Sequence, residues 1–165
     1  MVVKIRSYQS KDFQEVVKLM ENLQDYLVEK DQLKRLRRLE EYGKSYTSNL
    51  VKEIRKNKGM IYLAEENGKI LGCIAGTIKK QTKEQRYECV YSKVGTILEL
   101  VIYPEFRSKG IGKVLMNKIE DYFKKEECTT ITLEVMQGNK DAYEFYKRLE
   151  YQERSKGMIK IIKWK

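Results

Sequence analysis

The sequence predicts a mixed α/β protein in which helices cover the faces of one sheet. Segments that alternate apolar and polar residues are interspersed with segments of helical spacing, and hairpin signals flank that alternation on both sides. The 165 residues, 41% apolar and 35% charged, suffice for one hydrophobic core. We therefore expect a single domain over residues 1–165, with both antiparallel and parallel strand pairs.

The N-terminal third is predicted to hold one short strand and two helical stretches. Val2 to Arg6 has strand character, and Ser10 is a candidate N-cap of the first helix. The apolar residues of that helix recur at helical spacing: Phe13, Val16, Val17, Met20, Leu23 and Leu27. Residues 31–56 are strongly charged, so we expect the least core-like part of the chain there, with Gly43 as a break between two helical pieces.

The middle of the chain predicts antiparallel strands. MIYLAEE and KILGCIAGTIKK flank Asn67-Gly68, a two-residue signal for a type I′ hairpin. The polar stretch QTKEQRYECVYSK resembles a loop or a ragged strand edge. It precedes GTILELVIY, the most apolar run, which ends at Pro104, the only proline.

The C-terminal part returns to alternating helices and strands. Apolar residues at helical spacing predict a helix from Ile111 to Lys125, and TITLEV follows as a strand. A shorter helix carries Ala142, Phe145, Tyr146 and Leu149 on one stripe. The tail YQERSKGMIKIIKW predicts a terminal hairpin that turns near Ser155 to Gly157, a possible pairing edge for a homodimer.

Composition excludes several kinds of chemistry. The sequence has no histidine, so histidine-dependent triads and histidine-ligated metals are impossible. Cys73, Cys89 and Cys128 show no CxxC spacing, which predicts reduced thiols and no metal site. The N-terminus lacks a signal-peptide core and no apolar run is long enough for a membrane span, so we expect a cytoplasmic protein without a membrane partner.

A glycine turn follows the most apolar strand. Arg107, Ser108, Lys109, Gly110, Ile111 and Gly112 stand at the start of the predicted helix. A helix N-terminus has unpaired N–H groups and the positive end of the dipole, and glycine lets an anion approach them. Together with the cations of Arg107, Lys109 and Lys113, this arrangement suits a pyrophosphate.

The spacing of the glycines separates three motifs. A P-loop fails at Arg107 and Val114, and a dinucleotide fingerprint fails at Leu115. The segment from Ile102 to Gly112 instead resembles the acetyl-coenzyme A signature of the GNAT superfamily of N-acetyltransferases, Arg/Gln-x-x-Gly-x-Gly/Ala after a strand that ends x-Val-x-Pro. The resemblance covers about residues 61–151 well and 2–27 in pattern only.

This resemblance implies a GNAT-type fold, in which a mixed, mostly antiparallel sheet splays at one parallel strand pair. The pantetheine arm of acetyl-CoA would lie between GTILELVIY and TITLEV. By analogy with the family, the backbone of Leu100, Val101 and Ile102 would pair with the arm as an added strand does. The diphosphate would meet the N–H groups of the glycine turn: Arg107, Ser108, Lys109, Gly110, Ile111, Gly112 and Lys113.

A second motif of the family, Asn-x-x-Ala-x-x-x-Tyr, matches Asn139, Ala142 and Tyr146. Asn139 would hydrogen-bond the cofactor arm, or would cap a helix. Tyr146 is the residue expected to protonate the leaving thiolate, because a phenol of pKa about 10 can protonate a thiolate whose thiol has a pKa near 8.5. Family members usually have Gly-Phe where this chain has Glu150-Tyr151, so we expect a strained or rebuilt helix end.

Two carboxylates are candidates for the general base. Strand alternation sets Glu99 with Ile97, Val101 and Tyr103 on an otherwise apolar face. Glu134 lies on the adjacent predicted strand, and water alone is the third possibility.

The acceptor and two other functions stay open at this stage. The resemblance implies that the first helices help to select the acceptor, so basic residues there mildly favour an acidic or neutral amine acceptor, such as a peptide N-terminus, over a polycation: Lys34, Arg35, Arg37 and Arg38. A solvated helix face is the alternative interpretation of these residues. The formal charge of +10 also fits a nucleic-acid-binding module, although the sequence holds no RNP, KH or recognition-helix motif. A catalytically silent coenzyme A-binding regulator is the third alternative.

Overall fold

The computed structural model describes residues 2–163. The chain divides into two compact units, residues 2–134 and residues 135–163, which are described separately. The prediction of a single domain over residues 1–165 stays a prediction. Among residues 2–163, no helix has the length and apolar content that crossing a membrane requires.

The first unit is a five-stranded sheet with helices. Its elements in chain order are β1 Lys4–Ser7, α1 Phe13–Lys30, α2 Tyr42–Lys56, β2 Met60–Glu66, β3 Lys69–Lys80, α3 Gln85–Glu88, β4 Lys93–Ile102, α4 Ile111–Lys125 and β5 Thr130–Thr132. The strands follow one another across the sheet in chain order. The first four pair antiparallel, whereas β4 and β5 are parallel, so the mixed sheet is confirmed.

Helices cover both faces of this sheet. Ala75 belongs to a core cluster with residues of α1 and α2, among them Leu19, Leu50 and Ile54. A Cβ atom on the next residue, Gly76, would instead lie 2.8 Å from Ile119 Cδ1 of α4. Since neighbouring strand residues point to opposite faces, α1 and α2 cover one face and α4 covers the other.

The hairpin between β2 and β3 agrees with the sequence. Asn67 and Gly68 have φ angles of 50° and 78°, both in the left-handed region that a type I′ turn requires. The polar stretch after β3, expected as a loop or strand edge, contains the short helix α3.

The entry into α1 differs from the predicted Ser10 cap. The chain makes a 3₁₀ turn over Ser10–Asp12, and the N–H group of Gln9 donates to Asp12 Oδ2 at 2.8 Å. Arg6 binds both oxygens of the same carboxylate at 2.7 and 2.8 Å, and its guanidinium lowers the pKa of Asp12. Gln9 and Asp12 thus form a capping box at this turn, in which Ser10 is the first residue and not the N-cap.

Residues 31–56 were expected to be the least core-like part of the chain, and this is wrong for residues 42–56, which form α2. Gly43 is buried in the first turn of α2 and does not break a helix: its missing side chain makes room for Glu21, whose Cγ would lie 2.5 Å from a Cβ atom there. Buried Leu50 and Ile54 place α2 in the core. The break lies at residues 31–41, where Asp31 accepts three backbone N–H groups at 2.5–3.0 Å.

The second unit contains one helix, α5 Lys140–Arg148. It ends in a Schellman motif, in which the N–H of Tyr151 donates to the carbonyl of Tyr146 at 3.1 Å and that of Glu150 to Lys147 at 3.0 Å. Residues 151–163 hold no strand, so the predicted terminal hairpin is wrong over these residues; Trp164 lies outside the described residues. The possible homodimer stays a prediction.

Candidate active site

The turn after β4 has the backbone that the glycine motif predicts. Pro104–Phe106 forms a 3₁₀ turn, for which the fixed φ angle of Pro104 is suited. Ser108 and Gly110 then adopt φ angles of 59° and 81°, and α4 begins directly after Gly110. A Cβ atom on Gly110 would have no heavy atom within 4 Å, so this position requires glycine for its conformation and not for space.

The start of α4 offers amide groups for an anion. The N–H of Val114 donates to the carbonyl of Gly110 at 3.2 Å, which is the first helical hydrogen bond. The N–H groups before it have no acceptor within the helix, and the dipole of α4 makes this end positive. Ser108, Lys109 and Gly110 are exposed, as a site for a phosphate group requires.

Two of the three predicted cations already have partners near this turn. The Arg107 Nε donates to the carbonyl oxygen of Ile102 at 3.0 Å, and its guanidinium lies 4.7 Å from the centre of the Tyr26 ring. Lys109 Nζ lies 5.2 Å from the centre of the Phe106 ring. Arg107 thus connects the end of β4 to the turn and to α1, a contact that the sequence does not reveal.

The second half of β4 lies beyond its parallel neighbour. Pairing with β5 covers only Val94 to Thr96, although β4 continues to Ile102. The strand TITLEV was expected over six residues, whereas β5 ends at Thr132. Leu100, Val101 and Ile102 are therefore paired with β3 on one edge and pass β5 on the other, as the splayed strand pair predicts.

A β-bulge in β4 changes the predicted surroundings of Glu99. Ala75 pairs with Glu99 and its neighbour Gly76 pairs with Ile97, so Leu98 is the extra residue. Because Ala75 and Gly76 point to opposite faces, Glu99 and Ile97 do so as well. The expectation that Ile97 shares the face of Glu99 is wrong; Val101 and Tyr103 remain on it.

Glu99 has a hydrogen-bond partner on α2. The hydroxyl of Tyr46 donates to Glu99 Oε1 in a short hydrogen bond. Burial raises the pKa of Glu99, and the bond from Tyr46 offsets part of that effect. Burial and the negative charge of Glu99 likewise raise the pKa of Tyr46, and they raise that of Tyr42 to about 12. Desolvation favours the neutral form of Glu99, whereas the hydrogen bond from Tyr46 favours its carboxylate.

Glu134 lies in a different environment. It is exposed and follows the end of β5, outside the strand on which the sequence had placed it. Glu99 is instead half-buried and accepts a hydrogen bond from Tyr46, and the choice between the two carboxylates stays a prediction.

The residues of the second family motif lie on α5. Asn139 caps the helix, since its Oδ1 accepts the N–H of Ala142 at 3.3 Å. The capping interpretation is thus observed, while its contact with a cofactor arm stays a prediction. Tyr146 is half-buried, and its ring packs edge-on against Phe145 at 5.3 Å and Tyr151 at 5.9 Å between ring centres.

Sequence reasoning missed Tyr42 and Tyr46. Their spacing of four residues puts them on one side of a helix, where their rings stack with centres 5.3 Å apart. That spacing was a usable signal, but nothing in the sequence connects α2 to Glu99, 53 residues further on.

The separated parallel pair and the strand–proline–turn–helix connection define a fold of the N-acetyltransferase class. The chain belongs to the Acetyltransferase (GNAT) family, whose sequence profile matches residues 17–151. This match covers both the turn before α4 and the end of α5.

Two curated relatives share part of this sequence. An uncharacterised N-acetyltransferase of Methanocaldococcus jannaschii is 33% identical over 112 residues, 67% of this chain and 47% of that protein. N-alpha-acetyltransferase 60 of Xenopus tropicalis is 28% identical over 118 residues, 64% of this chain and 49% of that protein. The chain thus spans about half the length of the curated relatives it matches.

Solved structures share the fold. A protein of Bacillus halodurans, solved as a tetramutant, has a TM-score of 0.84 at 21% identity over 98% of this chain and 100% of that chain. An aminoglycoside N-acetyltransferase solved in complex with CoA has a TM-score of 0.74 at 13% identity over 97% and 94%. At these identities the likeness concerns the fold alone.

Proposed function

We propose that this chain transfers the acetyl group of acetyl-CoA to a primary amine by direct attack within a ternary complex. The observation that carries the proposal is the course of β4, which leaves β5 at Thr96 and leads through a left-handed turn to the exposed start of α4. Membership of the Acetyltransferase (GNAT) family supports the reaction class.

The described residues fit the donor. An unpaired strand edge can hydrogen-bond the amide groups of a pantetheine arm, and the backbone of Leu100, Val101 and Ile102 would do so. The amide groups from Arg107 to Lys113 would hold the diphosphate, with Lys113 as an exposed cation. Bound acetyl-CoA supplies an activated acyl group as a thioester.

Glu99 and Tyr146 would move the protons. Glu99 accepts a proton from the ammonium form of the acceptor, and the freed amine forms the C–N bond as the C–S bond breaks. Tyr146 donates its hydroxyl proton to the departing sulfur and regains one from the new amide nitrogen. Glu99 then releases its proton to solvent, so one proton is produced per turnover. Glu134 or water replaces Glu99 in the rival versions of this step.

The acceptor that we favour is the α-amine of a peptide that carries acidic residues. Deprotonating a lysine amine at pH 7 costs about 4.6 kcal/mol, against about 1.4 kcal/mol for an α-amine of pKa near 8. Exposed Lys34, Arg35 and Arg37 lie between α1 and the start of α2, the helix that contacts Glu99. Arg38 is bound to Asp25 at 2.5 Å and contributes less. A relative named as an N-alpha-acetyltransferase supports this choice. The cytoplasmic location stays a prediction from the sequence.

Acceptor-dependent release of thiol from acetyl-CoA tests the proposal. The assay compares three kinds of acceptor: peptides with acidic residues after the N-terminus, peptides with basic residues there, and small amines. Calorimetry separately measures the binding of acetyl-CoA and of CoA. We expect the acidic peptide to be the best substrate. Binding of CoA with no thiol release for any amine would favour the silent regulator instead.

Tyr146→Phe isolates the acid. We expect kcat to fall about 100-fold, because a positioned acid contributes at least that much, with acetyl-CoA affinity retained. Tyr143→Phe, which removes a hydroxyl from the exposed side of the same helix, is the matched control. Equal rates for the two variants would exclude Tyr146 as the proton donor.

A further inference from the structure

A half-buried carboxyl–phenol pair joins the sheet to α2. Tyr46 OH donates to Glu99 Oε1, and the two residues are 53 positions apart in the chain. Neither family motif in the sequence includes Tyr46. The contact therefore assigns α2 a part in the site that the motifs do not reveal.

The side chain of Tyr46 packs against the core cluster. Its neighbour Tyr42 stacks on it with ring planes 20° apart. The next residue, Thr47, is fully buried, and one turn further Leu50 belongs to the core. Contact of Gly43 with Glu21 of α1 anchors the start of the same helix. The packing of α2 thus sets where the hydroxyl of Tyr46 meets Glu99.

Few charges face the carboxyl group. The titratable groups that interact electrostatically with the Glu99 carboxyl are Tyr46 and Tyr42 of α2 and Cys73 of β3. Tyr103, just after β4, lies on the same face, and its pKa is raised in turn by Glu15 and Glu21 of α1. Within residues 2–163, no lysine or arginine forms an ion pair with Glu99. Stabilisation of the carboxylate therefore depends on the hydrogen bond from Tyr46.

We propose that Tyr46 is a positioning residue: its hydroxyl fixes Oε1 of Glu99, so that Oε2 is the atom that accepts the proton of the acceptor amine. The proposal rests on the proposed function for the identity of the amine, but not for the contact itself. In the step, the N–H bond of the ammonium breaks and an O–H bond forms on Oε2, while the bond from Tyr46 to Oε1 stays in place.

The test compares Tyr46→Phe with Tyr42→Phe. Both variants remove one phenol hydroxyl from the same side of α2 and keep the aromatic stack, but only the first removes the donor to Glu99. Loss of that donor raises the pKa of Glu99, so the acidic limb of the pH–rate profile should move up by about one pH unit. Tyr42→Phe should leave the limb where it is.

The shape of the profile separates positioning from a structural role. Above the shifted limb, Tyr46→Phe should recover most of the wild-type kcat, and KM for the acceptor should change little. A structural defect would instead lower the rate by the same factor at every pH. An unshifted limb in a folded Tyr46→Phe protein overturns the proposal.

A measurement without turnover keeps this inference distinct from the proposed function. Carbon-13 NMR of the Glu99 carboxyl, assigned by its loss in Glu99→Gln, gives its titration directly. An upward shift in Tyr46→Phe supports the contact even if no amine is acetylated, and equal titration curves reject it. Should Tyr46→Phe not fold, a fluorinated tyrosine placed at position 46, a stronger hydrogen-bond donor of nearly the same shape, should move the Glu99 titration down; no movement rejects the proposal.

Discussion

The turn that follows β4 and the contact between Glu99 and Tyr46 differ in the kind of group that forms them. The turn presents backbone amides, and its side-chain requirements are conformational: proline at the start of a 3₁₀ turn and glycine at a φ angle of 81°. The Glu99–Tyr46 contact joins side chains from a strand and a distant helix. Backbone sites thus impose local residue types that remain visible as a motif, whereas side-chain sites impose contacts that sequence spacing does not record.

Among the variants that distinguish the turn from the Glu99 contact, Glu99→Gln is expected to have the largest effect on the rate. Glutamine keeps the size of the side chain and can still accept the hydroxyl of Tyr46, but it cannot accept the proton of the amine. We expect kcat at pH 7 to fall about 100-fold while the acetyl-CoA dissociation constant stays the same. Steady-state kinetics and calorimetry measure the two quantities.

The rival base is examined in the same way. Glu134→Gln should cost much less, because that carboxylate is exposed. A larger loss at Glu134 than at Glu99 would reverse the assignment, and an unchanged pH–rate profile in both variants would leave water as the base.

Gly110→Val is expected to have a smaller effect, which falls on acetyl-CoA binding and not on the step that Glu99 is proposed to assist. A β-branched residue in the left-handed region is strained by about 1–2 kcal/mol, so the turn should open and acetyl-CoA binding should weaken by about 10-fold. The acidic limb of the pH–rate profile, which depends on Glu99, should not move. Calorimetric affinity and the pH profile are the measurements.

Gly68→Val is a closely matched control for that change. Gly68 has a φ angle of 78°, and a Cβ atom there also meets no heavy atom within 4 Å, but it lies in the β2–β3 hairpin. It should lower stability with unchanged affinity for acetyl-CoA. Weaker binding in both variants would mean that general destabilisation, and not the turn, explains the loss.

The same division explains how far the sequence could be interpreted. Gly110, Pro104 and the Asn67-Gly68 hairpin were predictable because each is required by its own backbone. The helix α4 was predicted with its observed bounds, since its apolar stripe repeats without interruption. These features need no knowledge of distant residues.

Features that depend on tertiary contacts were predicted wrongly or missed. Gly43 resembles a helix break in sequence, yet it lies in the first turn of α2, and the side chain of Glu21 on another helix fills the space beside it. The face of Ile97 was assigned by alternation, which the bulge at Leu98 reverses. The terminal hairpin was inferred from the tail with a turn near Ser155 to Gly157, but Met158 and Ile162 are exposed there without a strand.

The smallest expected effect is on stability, at a helix end where this chain has glutamate and a local backbone requirement would favour glycine. Glu150 has a φ angle of 66° and occupies the Schellman position at the end of α5, where glycine avoids the strain of a side chain. Glu150→Gly should therefore stabilise the protein by about 1 kcal/mol, a rise in Tm of about 2–4 °C. Glu144→Gly, in the exposed interior of α5, should lower Tm by a similar amount because glycine weakens a helix interior. If both variants lower Tm, the left-handed residue is not strained, and a local backbone requirement is then weaker at this helix end than at the turn before α4.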